Sequence, residues 1–394
     1  MRKYGLIGSG IEYSYSKLIH EYLIAHFDID ASYELIDVRE INKELLKQYD
    51  GLNVTRPFKE TVIKYLDINN SDLPINTIMK KDDKLIGFNT DIDGFDYLIK
   101  NNRINRFIDN IEKVIIMGDG ATSKMIQHYF KDKEILVIAR RDPLNNFSMI
   151  KNLKGDLLIN TTPIGMNEYC SPISDEDSYA FKNIIDVNYN PLNSQLRMQA
   201  HRSNSYFIGG LDMLLVQALK SFAVWHNIDA SYLLDNLKKH IFLKTQSKIA
   251  LIGYPLSGKS TLVNSFNGCD LDEKIIKRYG SINDLIKNRT FREKETIILT
   301  ELVNNKERLI ACGGGIILKD ENMELLKDYL IINVVTKRHI LQKRMKNNTR
   351  PLLENKEDFN MMYTRRRKLY LKYANVSMTY EEVEEFLDEF RKNN

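Results

Sequence analysis

The chain has 394 residues, 43% hydrophobic and 28% charged, with a formal net charge of +4; this is the composition of a globular protein with room for two or more cores. So mild a charge argues against nucleic-acid or membrane partners and suits small anionic ligands held by local positive charge. Three separated cysteines, Cys170, Cys269 and Cys312, form no CxxC pair, and no apolar run approaches the roughly 20 residues a membrane helix needs, so a reducing cytoplasmic setting is expected.

In chain order, the runs at 4–7, 114–117, 135–138, 156–160, 184–187, 249–252, 309–312 and 330–335 read as short strands followed by longer helical patterns. The first sits close enough to the start to leave no apolar signal segment. Such alternation predicts α/β layers with mostly parallel sheets. From 211 to about 239 the pattern is strongly helical, and LKTQSK after it is the best linker candidate, with the main boundary near 244–247. Two strands run straight into a glycine turn, at Gly118 and Gly253, which predicts two nucleotide domains.

Polar groups with chemical potential begin in GLNVTRPFKE. Asn53 and Thr55 stand two apart and so face one side of a strand. Pro57 ends that strand, and Lys59 is expected in the first turn of the next helix. There the helix dipole would lower its pKa and suit it to proton exchange near neutral pH. GFNTDIDGF sets Asn89, Thr90 and Asp91 at a strand end, although these residue types are also ordinary turn and cap formers. After strand 114–117, GDGATSK opens a helix. Gly118 and Gly120 permit a tight turn in which backbone N–H groups approach a pyrophosphate, while a Gly-x-Gly after a strand is often only a turn. Where NAD-binding chains carry an acid, about 20 residues on, this chain has Arg140 and Arg141, which favour the 2′-phosphate of NADP.

Read together, these segments resemble the shikimate dehydrogenase family over roughly the first 240 residues. GSGIEYSYSKLIH, NVTRPFK, PINT, NTD, INTTPIGM, DVNYNPLNSQL and GGLDMLLVQA are similar to the family's motifs and follow in its order. The resemblance implies reduction of 3-dehydroshikimate by NADPH, with Lys59 and Asp91 as the catalytic pair. It places Ser14 and Ser16 on the substrate carboxylate, Asn53, Thr55 and Asn76 on ring hydroxyls, Tyr189 at the domain cleft and Gln217 on the substrate. Gly118, Gly120, Ala121, Arg140, Arg141 and Thr161 would hold the cofactor, with Gly210 and Met213 at the nicotinamide. The chain departs from the family's usual GxGGA turn at Asp119 and Ala121, and from its Asn-Arg-Thr at Ala139-Arg140-Arg141. Ser14 and Ser16 could also cap a helix beginning at Lys17.

Residues 248–252 lead into GYPLSGKST and then a helix, the strand-to-helix setting that Gly-x4-Gly-Lys-Ser requires of a P-loop. Gly253, Ser257, Gly258 and Thr261 belong to the phosphate cradle; Lys259 meets the β- and γ-phosphates and Ser260 ligates Mg²⁺. Leu256 takes a place often held by glycine and is expected to stiffen the loop. Asp270 and Asp272 then alternate, one suited to Mg²⁺ and one to the proton of an attacking hydroxyl. Arg292 has Glu295 one helical turn along. Gly313, Gly314 and Gly315 stand at a strand end where backbone approaches a ligand closely. Residues 347–358, with RPLL, read as a lid, and the arginines at 365–367 lie on a helix. These features, in this order, resemble shikimate kinase from 248 onward. The resemblance implies ATP-dependent phosphorylation of shikimate, with Asp270 serving the metal through water and Asp272 the substrate hydroxyl. Lys259 and Arg350 would act at the phosphates, with Arg344 a helper; Arg292, Arg366 and the backbone around Gly314 would hold the substrate.

The expected fold is α/β: a shikimate dehydrogenase-like substrate domain at 1–100 completed by helices in 211–240, a Rossmann-like NADP domain at 101–210, a linker at 241–247, and a P-loop kinase domain at 248–394. The product implied for the first half is the substrate implied for the second. The expected function is therefore a bifunctional enzyme of the shikimate pathway using NADP(H), ATP and Mg²⁺, its partners small molecules. The alternative is a quinate/shikimate-type dehydrogenase joined to a regulatory or differently specific P-loop module.

Overall fold

The structure, a computed structural model, describes residues 1–140, 142, 150, 153–166, 168–346 and 356–393. The chain divides into two compact units, Met1–Ile241 and Phe242–Asn394.

The first unit holds two sheets. One comprises β1 (Arg2–Gly8), β2 (Ala31–Asp37), β3 (Gly51–Val54), β4 (Ile68–Asn69), β5 (Thr77–Lys81) and β6 (Lys84–Phe88), in the order β2-β1-β3-β5-β6-β4. β1 is parallel to β2 and β3, whereas β5 is antiparallel to both β3 and β6. This sheet is mixed, not mostly parallel as expected. The hairpin that makes it so turns at Asp82 and Asp83, both with left-handed φ (51° and 59°), the geometry a tight two-residue turn demands.

The other sheet comprises β7 (Lys113–Met117), β8 (Glu134–Ile138), β9 (Gly155–Asn160), β10 (Phe181–Asp186) and β11 (Tyr206–Gly209), all parallel, in the order β11-β10-β9-β7-β8. Both faces of β7 are covered. Val114 and Ile116 enter one core and Ile115 and Met117 another, which is why the strand reads as an unbroken apolar run. Strand order reverses at β7, so a crevice opens beyond the ends of β7 and β9, where α/β sheets bind ligands.

The long helical stretch resolves into two helices, Leu211–His226 and Leu234–Thr245; Asn227 ends the first in the left-handed region (φ 55°). The first of these helices closes both parts of the unit. Trp225 Nε1 donates to Ile78 O at 2.9 Å, and Met213 O would lie 2.4 Å from a Cβ on Gly94 in the helix Asp91–Lys100. Only glycine admits that approach, and it brings Asp91 and Gln217 to the same place. The 241–247 segment read as a linker is helical through Thr245, because Ile241, Phe242 and Leu243 are buried.

The second unit is one parallel sheet: β12 (Ile249–Ile252), β13 (Cys269–Asp270), β14 (Leu309–Ala311), β15 (Leu330–Val335) and β16 (Val376–Thr379), in the order β13-β14-β12-β15-β16. The glycine turn after β12 therefore leaves the centre of the sheet. Among the described residues no helix is long and apolar enough to cross a membrane.

Candidate active sites

In the first unit a cavity of about 770 Å³ takes its walls from both sheets. Every residue named from sequence for the reductive chemistry lines it, except Arg141, which lies outside the described residues. At its floor Lys59 Nζ donates to Asp91 Oδ2 at 2.5 Å, and both side chains are largely buried (14% and 10% exposed). Asp91 opens the helix Asp91–Lys100, whose dipole favours a carboxylate there. Lys59 is not in a helix as expected. It sits in the turn after Pro57, two residues ahead of the short 3₁₀ helix Thr61–Tyr65. The dipole argument for it falls away, and the Asp91 carboxylate is the charge it faces.

Asn76 is the hub behind this pair. Its Nδ2 donates to Asp91 Oδ1 (3.0 Å), Thr90 Oγ1 (2.9 Å) and Gln217 Oε1 (3.2 Å), and its Oδ1 accepts from the Thr90 backbone N–H at 2.6 Å. A buried amide with its partners made cannot rotate cheaply, so Asp91 is held in one orientation. Ser221 and Thr77, which the sequence reading passed over, complete the cluster. Their hydroxyls lie 2.8 Å apart, and Ser221 Oγ reaches Thr90 Oγ1 at 3.1 Å. The signal was present: Ser221 stands one helical turn beyond Gln217.

On the same cavity Ser14 Oγ donates to Ser16 Oγ at 3.1 Å and accepts from the Ser16 backbone N–H at 3.2 Å. The helix begins at Ser16, with Tyr15 in the capping position and no side-chain capping bond. Tyr189 packs against Tyr15 with its ring tilted by 52°, ring centroids 5.0 Å apart. On the cofactor side, Gly118 has φ 105°, and a Cβ there would lie 2.6 Å from Thr161 Oγ1, itself bonded to Met117 O at 2.7 Å. Space is open around Gly120, and Ala121 begins the next helix. A phosphate-bearing dinucleotide fits a turn so shaped, with a helix N-terminus facing the cavity. Arg140 and Gly210 lie on the same cavity, with Met213 beside them.

Asp186, at the end of β10, is buried and accepts from Asn160 Nδ2 (3.0 Å) and the Asn188 N–H (3.2 Å). Burial outweighs these bonds and pushes its carboxyl up to about 7.

In the second unit Gly253, Leu256 and Gly258 all have positive φ (142°, 67° and 97°). Leucine is strained in that region, where the sequence departs from the glycine often found there. Lys259 lies buried against its own loop, donating to Gly253 O (2.9 Å) and Tyr254 O (2.8 Å). Ser260 and Thr261 are exposed at the start of the helix Lys259–Ser265, and Ser257 is fully buried. Asp270 Oδ1 caps the helix Leu271–Tyr279 by accepting from the Glu273 N–H at 3.0 Å. The hydroxyl of Ser260 and the carboxylate of Asp270 are hard oxygen donors of the kind Mg²⁺ accepts alongside water and phosphate.

The three glycines after β14 have a packing explanation. A Cβ on Gly313 would lie 2.9 Å from both Asp272 Oδ1 and Glu295 Oε1; one on Gly314 would meet Pro255, and one on Gly315 the Arg292 guanidinium. Arg292 Nη1 donates to Glu295 Oε2 at 2.6 Å. Glu295 is fully buried, its carboxyl raised by burial despite Arg292, and its Oε1 has no hydrogen-bond partner among the described residues. Of the three successive arginines on the helix Lys356–Tyr373, Arg366 is the one turned inward, donating to Gly314 O at 3.0 Å, while Arg365 and Arg367 are exposed. Arg344 Nη1 donates to Leu256 O at 2.7 Å. Of the lid expected at 347–358, Arg350 and the rest of 347–355 lie outside the described residues, and 356–358 belong to the helix Lys356–Tyr373.

Fold and sites together define a dinucleotide-dependent oxidoreductase joined to a P-loop phosphotransferase. Within that class the chain belongs to the shikimate dehydrogenase family. A relative described as shikimate dehydrogenase (NADP(+)) from Clostridium beijerinckii is 33% identical over 252 residues, 57% of this chain and 92% of its own length. The solved shikimate dehydrogenase 1 of Peptoclostridium difficile matches with 30% identity and a TM-score of 0.54, covering 60% of this chain and 98% of that one. A chorismate mutase/shikimate 5-dehydrogenase fusion from Clostridium acetobutylicum matches with 30% identity and a TM-score of 0.55, covering 62% and 98%. The family model for the shikimate dehydrogenase substrate binding domain matches residues 6–73, and the model for shikimate kinase matches residues 257–392.

Proposed function

We propose that this chain reduces 3-dehydroshikimate to shikimate with NADPH and phosphorylates shikimate to shikimate 3-phosphate with ATP. The observation that carries the reading is the meeting, in one cavity, of the Lys59–Asp91 pair with the Gly118 turn. When bound, NADPH supplies hydride and ATP with Mg²⁺ supplies the phosphoryl group. In the first site Lys59 gives its proton to the carbonyl oxygen being reduced, Asp91 holds the ammonium in line and Asn76 holds Asp91. Ser14 and Ser16 receive the carboxylate; Thr55, Gln217 and Asn53 face the ring.

In the second site Lys259 exchanges its loop carbonyls for phosphate oxygens, and Ser260 and Asp270 hold Mg²⁺. Asp272 takes the proton of the attacking hydroxyl, while Arg292 and Arg366 hold the carboxylate. A merely regulatory nucleotide module has no use for the Asp272, Arg292 and Arg366 side chains gathered around Gly313–Gly315. The domain limits are proposed as set out from sequence, except that 241–245 of the expected linker belongs to the helix Leu234–Thr245. Three free cysteines support a cytoplasmic location.

The test is incubation with 3-dehydroshikimate, NADPH, ATP and Mg²⁺, following cofactor oxidation and phosphorylated product separately. Absence of either signal with freshly purified protein overturns that half of the reading. Phosphorylation of gluconate or a nucleoside monophosphate in preference to shikimate overturns the assignment of the second substrate.

A further inference from the structure

Resting on the reading of the first cavity as a site that reduces a hydroxylated ring acid, we propose that Tyr33 is a positioning residue. It locks the Asn53 side-chain amide so that Asn53 offers the cavity a hydrogen-bond acceptor and no donor. Tyr33 is on β2 and outside the cavity lining. It is 3% exposed, with its ring stacked on His20 (centroids 4.4 Å apart, planes 13° apart). Its hydroxyl donates to Asn53 Oδ1 at 2.8 Å. At the other end of the amide, Asn53 Nδ2 donates to Ser221 Oγ at 2.8 Å and faces Asn76 O at 3.4 Å and Thr77 Oγ1 at 3.3 Å.

The orientation of this amide follows from its neighbours. A backbone carbonyl can only accept, so the atom facing Asn76 O is nitrogen. With the nitrogen so placed, Ser221 Oγ accepts from it at 2.8 Å, and its own hydrogen can go to Gln217 O at 3.0 Å. Both N–H bonds of Asn53 are thus used inside the protein. Oδ1 receives the bond from Tyr33, the His20 imidazole also bonds the Asn53 side chain, and Asn53 lines the cavity. A ligand group meeting it is therefore a hydroxyl that donates. Burial keeps the Tyr33 phenol protonated well above its usual range, so it stays a donor through neutral pH; a phenolate there would let the amide invert.

Steady-state kinetics of the full-length chain test this with Tyr33→Phe, Asn53→Ala and the double variant. Phenylalanine removes the hydroxyl and keeps the ring stack. The expected result is a KM for 3-dehydroshikimate raised about tenfold, with kcat within about threefold and the KM for NADPH unchanged, the signature of a lost ground-state contact. In the Asn53→Ala background Tyr33→Phe should add clearly less than in the wild type, because the part of its effect that passes through Asn53 is gone, whereas its bond to the Ser16 side chain is common to both backgrounds. A wild-type chain that does not reduce 3-dehydroshikimate overturns the cavity reading and this proposal together. An active wild type with an unchanged KM in Tyr33→Phe overturns the proposal alone, as does an equal effect of Tyr33→Phe in both backgrounds. If Tyr33→Phe does not fold, Ser221→Ala frees the other end of the same amide. The same rise in KM, lost in the Asn53→Ala background, then supports the proposal, and its absence overturns it.

Discussion

Lys59 and Asp91 meet as a short ion pair whose second oxygen is tied to Asn76. Lys59→Ala removes the proposed proton donor and leaves the carboxylate in place. Reduction is expected to fall by about 10²–10⁴, the usual worth of one general acid, with the KM for NADPH retained, as read from cofactor oxidation. His20 and Asp186 act on stability in opposite senses. Burial holds the His20 imidazole down at about 3. Above pH of about 6.5 it is neutral in both states. Below that the unfolded chain takes up a proton the folded chain refuses, so stability falls by about 1.4 kcal/mol per pH unit. Asp186, raised to about 7, keeps a proton in the folded chain that the unfolded chain loses above about pH 4, so stability falls as pH rises through that window. The two slopes oppose each other. Asp186→Asn mimics the protonated acid and removes one of them; its unfolding free energy, measured in urea across roughly pH 4–7, should drop more steeply on acidification than the wild type's.

At the scale of the element, the segment after β14 is built around missing side chains. Gly313 leaves room for Asp272 and Glu295, and Gly315 for Arg292. Gly313→Ala would push a methyl against a fully buried carboxylate that cannot swing into water. An overpacking cost of about 1–3 kcal/mol is expected, together with a loss of shikimate phosphorylation greater than any loss of nucleotide binding, checked by thermal melting and by ATP titration. The sequence showed three glycines at a strand end and suggested that a ligand comes close. The structure assigns that space to the side chains that would hold the ligand. In the same way, the helix Leu211–His226 was legible as a helix from its apolar pattern. That its Gln217 and Ser221 face Asn76 and Asn53 required the packing of Gly94 on Met213.

Over the whole molecule, Lys59 and Lys259, the lysines proposed to be catalytic, lie in separate compact units with separate hydrophobic cores. Substitution in one should leave the other's chemistry intact. Lys259→Ala is expected to abolish phosphorylation of supplied shikimate, a loss of at least about 10²-fold from removing a charge at the transferred phosphoryl group, while cofactor oxidation continues at the wild-type rate. Product analysis of one reaction mixture reads both.

Sequence alone determined the parts whose chemistry is local. Both glycine turns could be named because strand-turn-helix geometry needs particular residues at particular spacings, while most residues around the first cavity were named through the resemblance of their motifs to a known family. Residue pairs far apart in the chain were beyond it. The mixed character of the first sheet depended on a two-aspartate hairpin turn. The surroundings of Lys59 depended on Asp91, 32 residues away. The buried Tyr33–Asn53–Ser221 chain depended on contacts spanning 20 and 168 residues. Those partners are chosen by packing and by the need of every buried polar group for a hydrogen bond. Such choices exist only once the chain has folded.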